Sequence, residues 1–353
     1  MGRVWPLLLR YVVLATSAMI LTVGVSKNIQ RRIYSAGIIP DQYRYGDLYN
    51  TSCLKDFKEV DFNINSELSP SDKPQTRFKN VDLYTIGDSF TPMDTSFYAG
   101  DKNYHIWLGV NQESVTLDPT KNSILVIEII ERTIQERLKK DFKALYIDRG
   151  FSVAKKPDNR PPHPPHSGAH IFEKFGEQIN QRLEFMLFNF DPILILKELK
   201  SQIMLSWFHR THPGAIISKD EQFLFYQIEA DPQSPLSAFY SLTPTDIDSV
   251  VTNMNSIREH YLKMGFNEVY FCLIPNKTTI CAPSLANYNG QIPAIESHPN
   301  LQAPTLSVIQ SIKPNPSWFH KGDGHWNVHG KRFWLRTVNG LVEKWSKKNT
   351  HNH

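Results

Sequence analysis

Cysteine is scarce. The 353 residues hold three, Cys53, Cys272 and Cys281, too few for the disulfide framework of a small secreted scaffold. Cys272 lies in an apolar run and reads as a buried thiol, with a bridge to Cys281 as the alternative. An excess of charge of one sign is also lacking. The net charge of +4 is too mild and too dispersed for a nucleic-acid footprint, and no zinc-finger or basic-repeat pattern is present. No internal repeat is found. What remains is 41% hydrophobic and 21% charged, a globular composition long enough for one large domain or two ordinary ones.

Residues 1–32 stand apart. Tyr11 to Val25 carries no charge, Val4 to Leu9 is apolar, and Arg10 interrupts the two. The stretch spans a bilayer if Arg10 snorkels to an interface. The alternative is a cleaved signal peptide with Arg3 and Arg10 in its basic region. No small-x-small cleavage site follows the run, which favours an uncleaved anchor. Arg3 and Arg10 precede it while Lys27, Arg31 and Arg32 follow, so the positive-inside rule assigns no orientation.

Residues 33–80 are polar and irregular and read as a connector or cover. From Val81 the pattern changes. Val81–Ile86 and Ser123–Ile130 read as buried strands, and the second leads into a charged helix reaching about Ala144. The segment 154–170, with Pro161-Pro162-His163-Pro164-Pro165-His166, reads as a solvated loop rather than a metal site of His163, His166 and His170. Helical spacing of Leu, Ile and Phe over 178–204 gives a helical insertion at about 150–210. Lys219-Asp220 reads as a turn before the strand Phe223–Tyr226. Thr243 caps a helix whose apolar positions run from Ile247 to Leu262 and which Gly265 ends. Val269–Ile274 is a further strand, and Gly330–Trp345 a closing helix. Strands alternating with amphipathic helices predict a three-layer α/β/α sandwich with a mostly parallel sheet over 81–347, its chemistry at the carboxyl ends of the strands.

Two segments carry that chemistry. Gly87-Asp88-Ser89 follows the first strand, where Gly87 permits a sharp turn, Asp88 accepts from nearby amides and Ser89 opens a helix with its hydroxyl exposed. Asp323-Gly324-His325 precedes the closing helix. In an extended segment Asp323 and His325 face one side, so the carboxylate can hold one ring nitrogen while the other faces Ser89. Trp326 packs beside the site, Asn327 and Gly330 serve the turn into the helix, and His320 and His329 read as surface residues. Either segment alone is weak evidence, because turns favour these residue types.

Together the segments resemble the SGNH (GDSL-type) hydrolase superfamily. Gly87-Asp88-Ser89-Phe90 matches its nucleophile block, and His325-Trp326-Asn327-Val328-His329-Gly330 its terminal histidine block. Common members place the aspartate three residues before the histidine, where this chain has Gly322. The shorter Asp-x-His-Trp arrangement is similar to the alginate O-acetyltransferase branch. So are Ile127 to Arg132, Ile217 to Phe225 and Leu273-Ile274-Pro275-Asn276-Lys277, although the serine block comes first here, as in ordinary SGNH hydrolases. The usual Gly-x-Asn-Asp block has no visible counterpart, and Glu131-Arg132 stands in its place.

The resemblance implies a serine-dependent acyltransferase, with Ser89 acylated, His325 as base and Asp323 orienting it. It acts without a cofactor or metal, with a polysaccharide acceptor, an acyl donor and a membrane acyltransferase partner. Glu131, Arg132 and Lys277 are candidate substrate contacts. Glu131-Arg132 as a supporting ion pair and Lys277 as a loop lysine are the blander readings. An SGNH-type acetyl esterase and a non-catalytic envelope scaffold are the alternatives for the whole. The expected location is a bacterial cytoplasmic membrane, by a single N-terminal pass, with the catalytic domain in the periplasm.

Overall fold

The computed structural model describes residues 4–36, 44–60, 62, 68–92, 94–108, 117–146 and 191–348. The strands are β1 (Val81–Gly87), β2 (Asn103–Trp107), β3 (Asn122–Ile130), β4 (Ala215–Ile217), β5 (Leu224–Tyr226) and β6 (Glu268–Ile274). The helices used below are α1 (Val4–Val25), α2 (Lys27–Ser35), α3 (Asp47–Ser52), α4 (Asp191–Phe208), α5 (Pro244–Lys263), α6 (Lys277–Cys281) and α7 (Val328–Lys348). The chain divides into two compact units. One gathers Met1–Arg44, Cys53–Asp56 and Lys156–Thr211, the other Tyr45–Ser52, Phe57–Lys155 and His212–His353.

In the first unit, Pro6–Val25 of α1 is 20 residues long with a mean hydropathy of 1.9. At 1.5 Å per residue that is about 30 Å, the thickness of a bilayer's hydrocarbon layer. Only 6% of its most apolar stretch is buried, so it is not a core helix. The hydroxyls of Thr16 and Thr22 donate to the carbonyls of Val12 and Ala18, 2.8 Å each, so neither disturbs the apolar surface. In α4, Leu194 and Glu198 are buried while Ile195, Leu199 and Trp207 are exposed.

The second unit holds a four-stranded sheet in the order β2-β1-β3-β6, with every pairing parallel. Every residue of β1 and β3 is buried. Such runs are continuous rather than alternating because a parallel sheet is covered on both faces. Helix α5 starts where Thr243 Oγ1 accepts from the Asp246 N–H and Asp246 returns the bond to the Thr243 N–H, a reciprocal cap with proline in the first turn. It ends at Gly265, whose φ of +104° suits glycine. Val250, Met254, Ile257 and Tyr261 form its buried stripe, and α7 buries Trp334, Leu335, Val338 and Val342. Strands β4 and β5 form an antiparallel hairpin around Lys219-Asp220, where Ser218 Oγ accepts from the N–H groups of Gln222 and Phe223 at 3.0 and 2.9 Å.

The charged segment after β3 departs from the expected α-helix. It forms a 3-10 turn (Glu131–Thr133), a π-helical stretch (Gln135–Lys140) and a second 3-10 turn (Phe142–Leu145). Side chains from elsewhere take its backbone groups. Gln291 Nε2 donates to the Glu131 carbonyl, Asn276 Oδ1 accepts from the Arg132 N–H, and Asn253 Nδ2 donates to the Leu138 carbonyl. Cys272 and Cys281 form no disulfide with each other, and Cys53 and Cys272 are buried. The Pro/His-rich segment, with His163, His166 and His170, and residues 178–190 of the helical insertion lie outside the described residues.

Candidate active site

Strand β1 delivers Gly87-Asp88-Ser89 to the carboxyl end of the sheet. The turn is tight without left-handed backbone. Gly87 is required by close approach, since a Cβ there would lie 2.8 Å from Glu128 Oε2 and 2.9 Å from Thr91 Oγ1. Asp88 Oδ1 accepts from the Phe90 N–H at 3.1 Å, and the Asp88 carbonyl from the Thr91 N–H at 3.2 Å. No helix opens at Ser89, contrary to expectation; residues 89–90 are a turn. The Ser89 N–H donates to no described residue, while the Asp88 N–H is held by Glu128 Oε2 at 2.9 Å. Burial, with the nearby Asp88 charge, raises the Glu128 carboxyl well above its ordinary range.

Ser89 Oγ lies 2.5 Å from His325 Nε2, and His325 Nδ1 lies 2.6 Å from Asp323 Oδ1. The same carboxylate oxygen accepts from the His325 backbone N–H at 2.8 Å. Two donors thus fix the pair although only Gly324 separates them. An ionised Asp323 places the imidazole proton on Nδ1 and leaves Nε2 as the acceptor for the serine hydroxyl. Burial alone would raise Asp323, but the His325 charge and hydrogen bond hold it well below the usual carboxylate range. Burial disfavours the charged imidazole, yet Asp323 and then Asp47 outweigh it and raise His325 above its ordinary value. Phe90 and Trp326 are fully buried against this group. The Phe90 ring sits 4.7 Å from the imidazole, and Trp326 Nε1 donates to the Phe90 carbonyl at 2.8 Å.

Position 322 has no room for a side chain. A Cβ on Gly322 would lie 1.9 Å from the Phe57 carbonyl oxygen, so no side chain fits three residues before His325. Glu59 Oε1 accepts from the Lys321 and Gly322 N–H groups at 2.5 and 3.2 Å, and the Tyr49 N–H donates to the Gly322 carbonyl at 2.8 Å. His320, expected at the surface, is 9% exposed and lies 3.7 Å from Glu59; His329 is exposed.

The three candidate substrate contacts separate. Lys277 is 1% exposed, and its ammonium donates to the carbonyls of Leu224, Lys321 and Asp323 at 2.7, 3.0 and 2.9 Å. It is neither a substrate contact nor a surface loop lysine but a buried clamp beneath the Asp323 turn, with burial lowering it to about 8. Glu131 is also 1% exposed and accepts from the Asn276 N–H, Thr279 Oγ1 and Tyr288 Oη at 2.9, 2.5 and 2.8 Å. It holds β3 to the start of α6 and is not free for substrate. Glu131 and Arg132 do not pair with each other. Arg132 pairs with the buried Glu229 at 2.5 Å and keeps a quarter of its side chain exposed.

Asp47, at the start of α3, was not among the candidates. Its Oδ2 lies 3.9 Å from His325 Nδ1, and its N–H donates to Asp323 Oδ2 at 2.9 Å. Tyr226 Oη donates to Asp47 Oδ2. The segment 33–80 is therefore more than a cover. Its only sequence signal was an aspartate opening a short polar stretch. Asp47, Asp323 and His325 bring potential ligand atoms within 4.8 Å of one another. Asp323 Oδ1 and His325 Nδ1 are already joined through a proton, so a cation there would displace the bond that orients the imidazole.

Comparison of the chain with protein-family models, with curated proteins and with solved structures found no match. The functional reading therefore stands on geometry.

Proposed function

We propose that the protein is a serine-dependent O-acyltransferase that acetylates a cell-envelope polysaccharide. The observation that carries this reading is the unbroken relay from Ser89 Oγ through the imidazole to Asp323, 2.5 and 2.6 Å. In the first half-reaction Ser89 Oγ bonds to the acyl carbon of the donor while His325 Nε2 takes the hydroxyl proton. The donor's leaving group departs with that proton. In the second, His325 takes a proton from an acceptor hydroxyl as it attacks the acyl-enzyme, and returns it to Ser89 Oγ as the ester bond to the serine breaks. Asp323 keeps the imidazole in register and offsets its charge in both steps. The unengaged Ser89 N–H is the donor for the developing oxyanion. The exposed part of Arg132 suits contact with an anionic group on donor or acceptor.

The parallel sheet, the serine after its first strand and the Asp-x-His before the last helix support an SGNH-like three-layer arrangement. The span-length α1 supports a single-pass membrane anchor; a bacterial cytoplasmic membrane, with the active unit in the periplasm and a membrane-bound acyl source, completes the proposal. Hydrolysis uses the same relay with water as acceptor.

The test is turnover of an activated acetyl ester by the purified protein, with and without glycan acceptors, against Ser89→Ala. Acetylated glycan and glycan-accelerated loss of donor support transfer. Free acetate alone across the glycans indicates an esterase. No acyl-enzyme and no turnover in the wild type would leave the scaffold reading.

A further inference from the structure

Two carboxylates, not one, face the Nδ1 side of His325. Asp323 makes the direct bond, and Asp47 Oδ2 stands 3.9 Å from the same nitrogen. Asp47 is itself held on every side. Its Oδ1 accepts from the Gly324 N–H at 2.8 Å and the Leu48 N–H at 2.6 Å, and its Oδ2 accepts from Tyr226. Its own N–H reaches Asp323 Oδ2 at 2.9 Å. Asp47 thus grips both ends of Asp323-Gly324 while its charge points at the ring. A clamp alone needs no charge, because an amide could accept from Gly324 and Leu48. The orientation of Oδ2 toward the imidazole distinguishes this residue from a simple loop staple.

We infer that Asp47 is a positioning residue for the base, a second carboxylate that holds the Asp323–His325 turn and shares in stabilising the imidazolium formed when Ser89 is deprotonated. This deepens the triad reading and rests on it. Burial and the neighbouring Asp323 raise Asp47 to about 6, so it carries its charge at neutral pH and loses it in mild acid. The other charged groups facing this centre are accounted for. Arg132, after β3, opposes the imidazolium and is paired with Glu229; Lys277, beneath the turn, faces the Asp323 carbonyl; Tyr226, on β5, is neutral; Asp88 follows β1 beside the serine.

The test is Asp47→Asn in the full chain in detergent micelles, read in two ways. Asparagine keeps an oxygen acceptor for Gly324 and the backbone donor to Asp323 and removes the charge; it also puts an NH2 where Oδ2 accepted from Tyr226 Oη, a change whose own effect Tyr226→Phe reports. The first readout is the titration midpoint of the His325 ring nitrogens by 15N resonance, assigned by their loss in His325→Gln. The midpoint is expected to fall by about one pH unit, the size of a single charge at this distance. The second is the pH profile of Ser89 acylation by an activated ester, whose acidic limb should move down by the same amount while the alkaline plateau drops about tenfold (one pH unit expressed as a rate factor). Asp47→Glu should restore part of both. An unchanged midpoint in Asp47→Asn overturns the proposal, whatever happens to thermal stability. If the wild type forms no acyl-enzyme, the triad reading falls, and the resonance midpoint alone still decides whether Asp47 is coupled to the ring.

Discussion

At the scale of single residues the site is a set of proton positions. Acylation needs the neutral imidazole, and His325 is raised above its ordinary value of 6.5. The acylation rate should therefore rise with pH through a midpoint above 6.5 and then level; a midpoint below 6 in stopped-flow acylation would contradict the relay. Asp323→Asn removes the orienting carboxylate and should lower that rate on the order of ten-thousandfold with the fold intact. Glu128 makes the opposite case. Burial and the Asp88 charge raise its carboxyl well above the ordinary range, which favours the uncharged form, and Oε2 accepts from the Asp88 N–H. Glu128→Gln should therefore leave the melting temperature within a few degrees and the acylation rate within about twofold. Glu128→Ala should cost roughly 2 kcal/mol in denaturant unfolding, because it strands the Asp88 N–H and opens a cavity.

At the scale of elements, the turn that carries Asp323 and His325 is held from several directions. Lys277 binds three carbonyls from beneath, Glu59 binds two N–H groups, and Gly330 lets α7 close on Trp326. A Cβ at Gly330 would lie 2.5 Å from Trp326 Cβ. Gly330→Ala should thus destabilise by about 1–3 kcal/mol and slow acylation, since Trp326 carries Phe90 against the imidazole. Lys277→Met keeps the stem but takes the ammonium donor from three carbonyls, of which that of Lys321 still accepts from the Leu224 N–H. It should lower unfolding free energy by about 3 kcal/mol or more, with a loss of acylation that added glycan does not rescue. A substrate-binding lysine would behave differently, raising KM at unchanged stability.

This is also where the sequence stops being legible. Strands such as Ser123–Ile130 and the cap at Thr243 announce themselves through local pattern, because burial on both faces and helix capping act over a few residues. Lys277 does not. Its partners are carbonyls 44 to 53 residues away, and backbone acceptors leave no mark in side-chain identity. Asp47 is hidden for the same reason, its bond to Asp323 spanning 276 residues. The helix expected after β3 failed because side chains at positions 253, 276 and 291 claim its backbone groups. Ser89, Asp323 and His325 could be brought together from the sequence because a hydroxyl, an imidazole and a carboxylate able to share a proton are recognisable by side-chain type, and the structure joins them at 2.5 and 2.6 Å. The two readings of Glu131-Arg132, pair or substrate contact, missed the partners each actually finds.

At the scale of the whole molecule, two compact units divide the work. One carries a helix of membrane-spanning length and the other the relay. With α1 intact the protein should remain with membranes after an alkaline carbonate wash and leave with detergent. Recovery in the carbonate supernatant would show that the helix does not anchor the chain. Protease added to intact spheroplasts should degrade the second unit if it faces outward, and spare it if it faces the cytoplasm.

The relay is scattered along the chain in a telling order: Asp47 early, Ser89 soon after, Asp323 and His325 near the end. A ribosome makes Ser89 long before it makes Asp323 and His325. During synthesis Ser89 is an ordinary, unreactive alcohol, and a product cut short anywhere before His325 stays that way. On the proposed function, Ser89 would gain its base only once the segment carrying Asp323 and His325 has been made and folded, so a chain cut short before it would be unable to take up an acyl group.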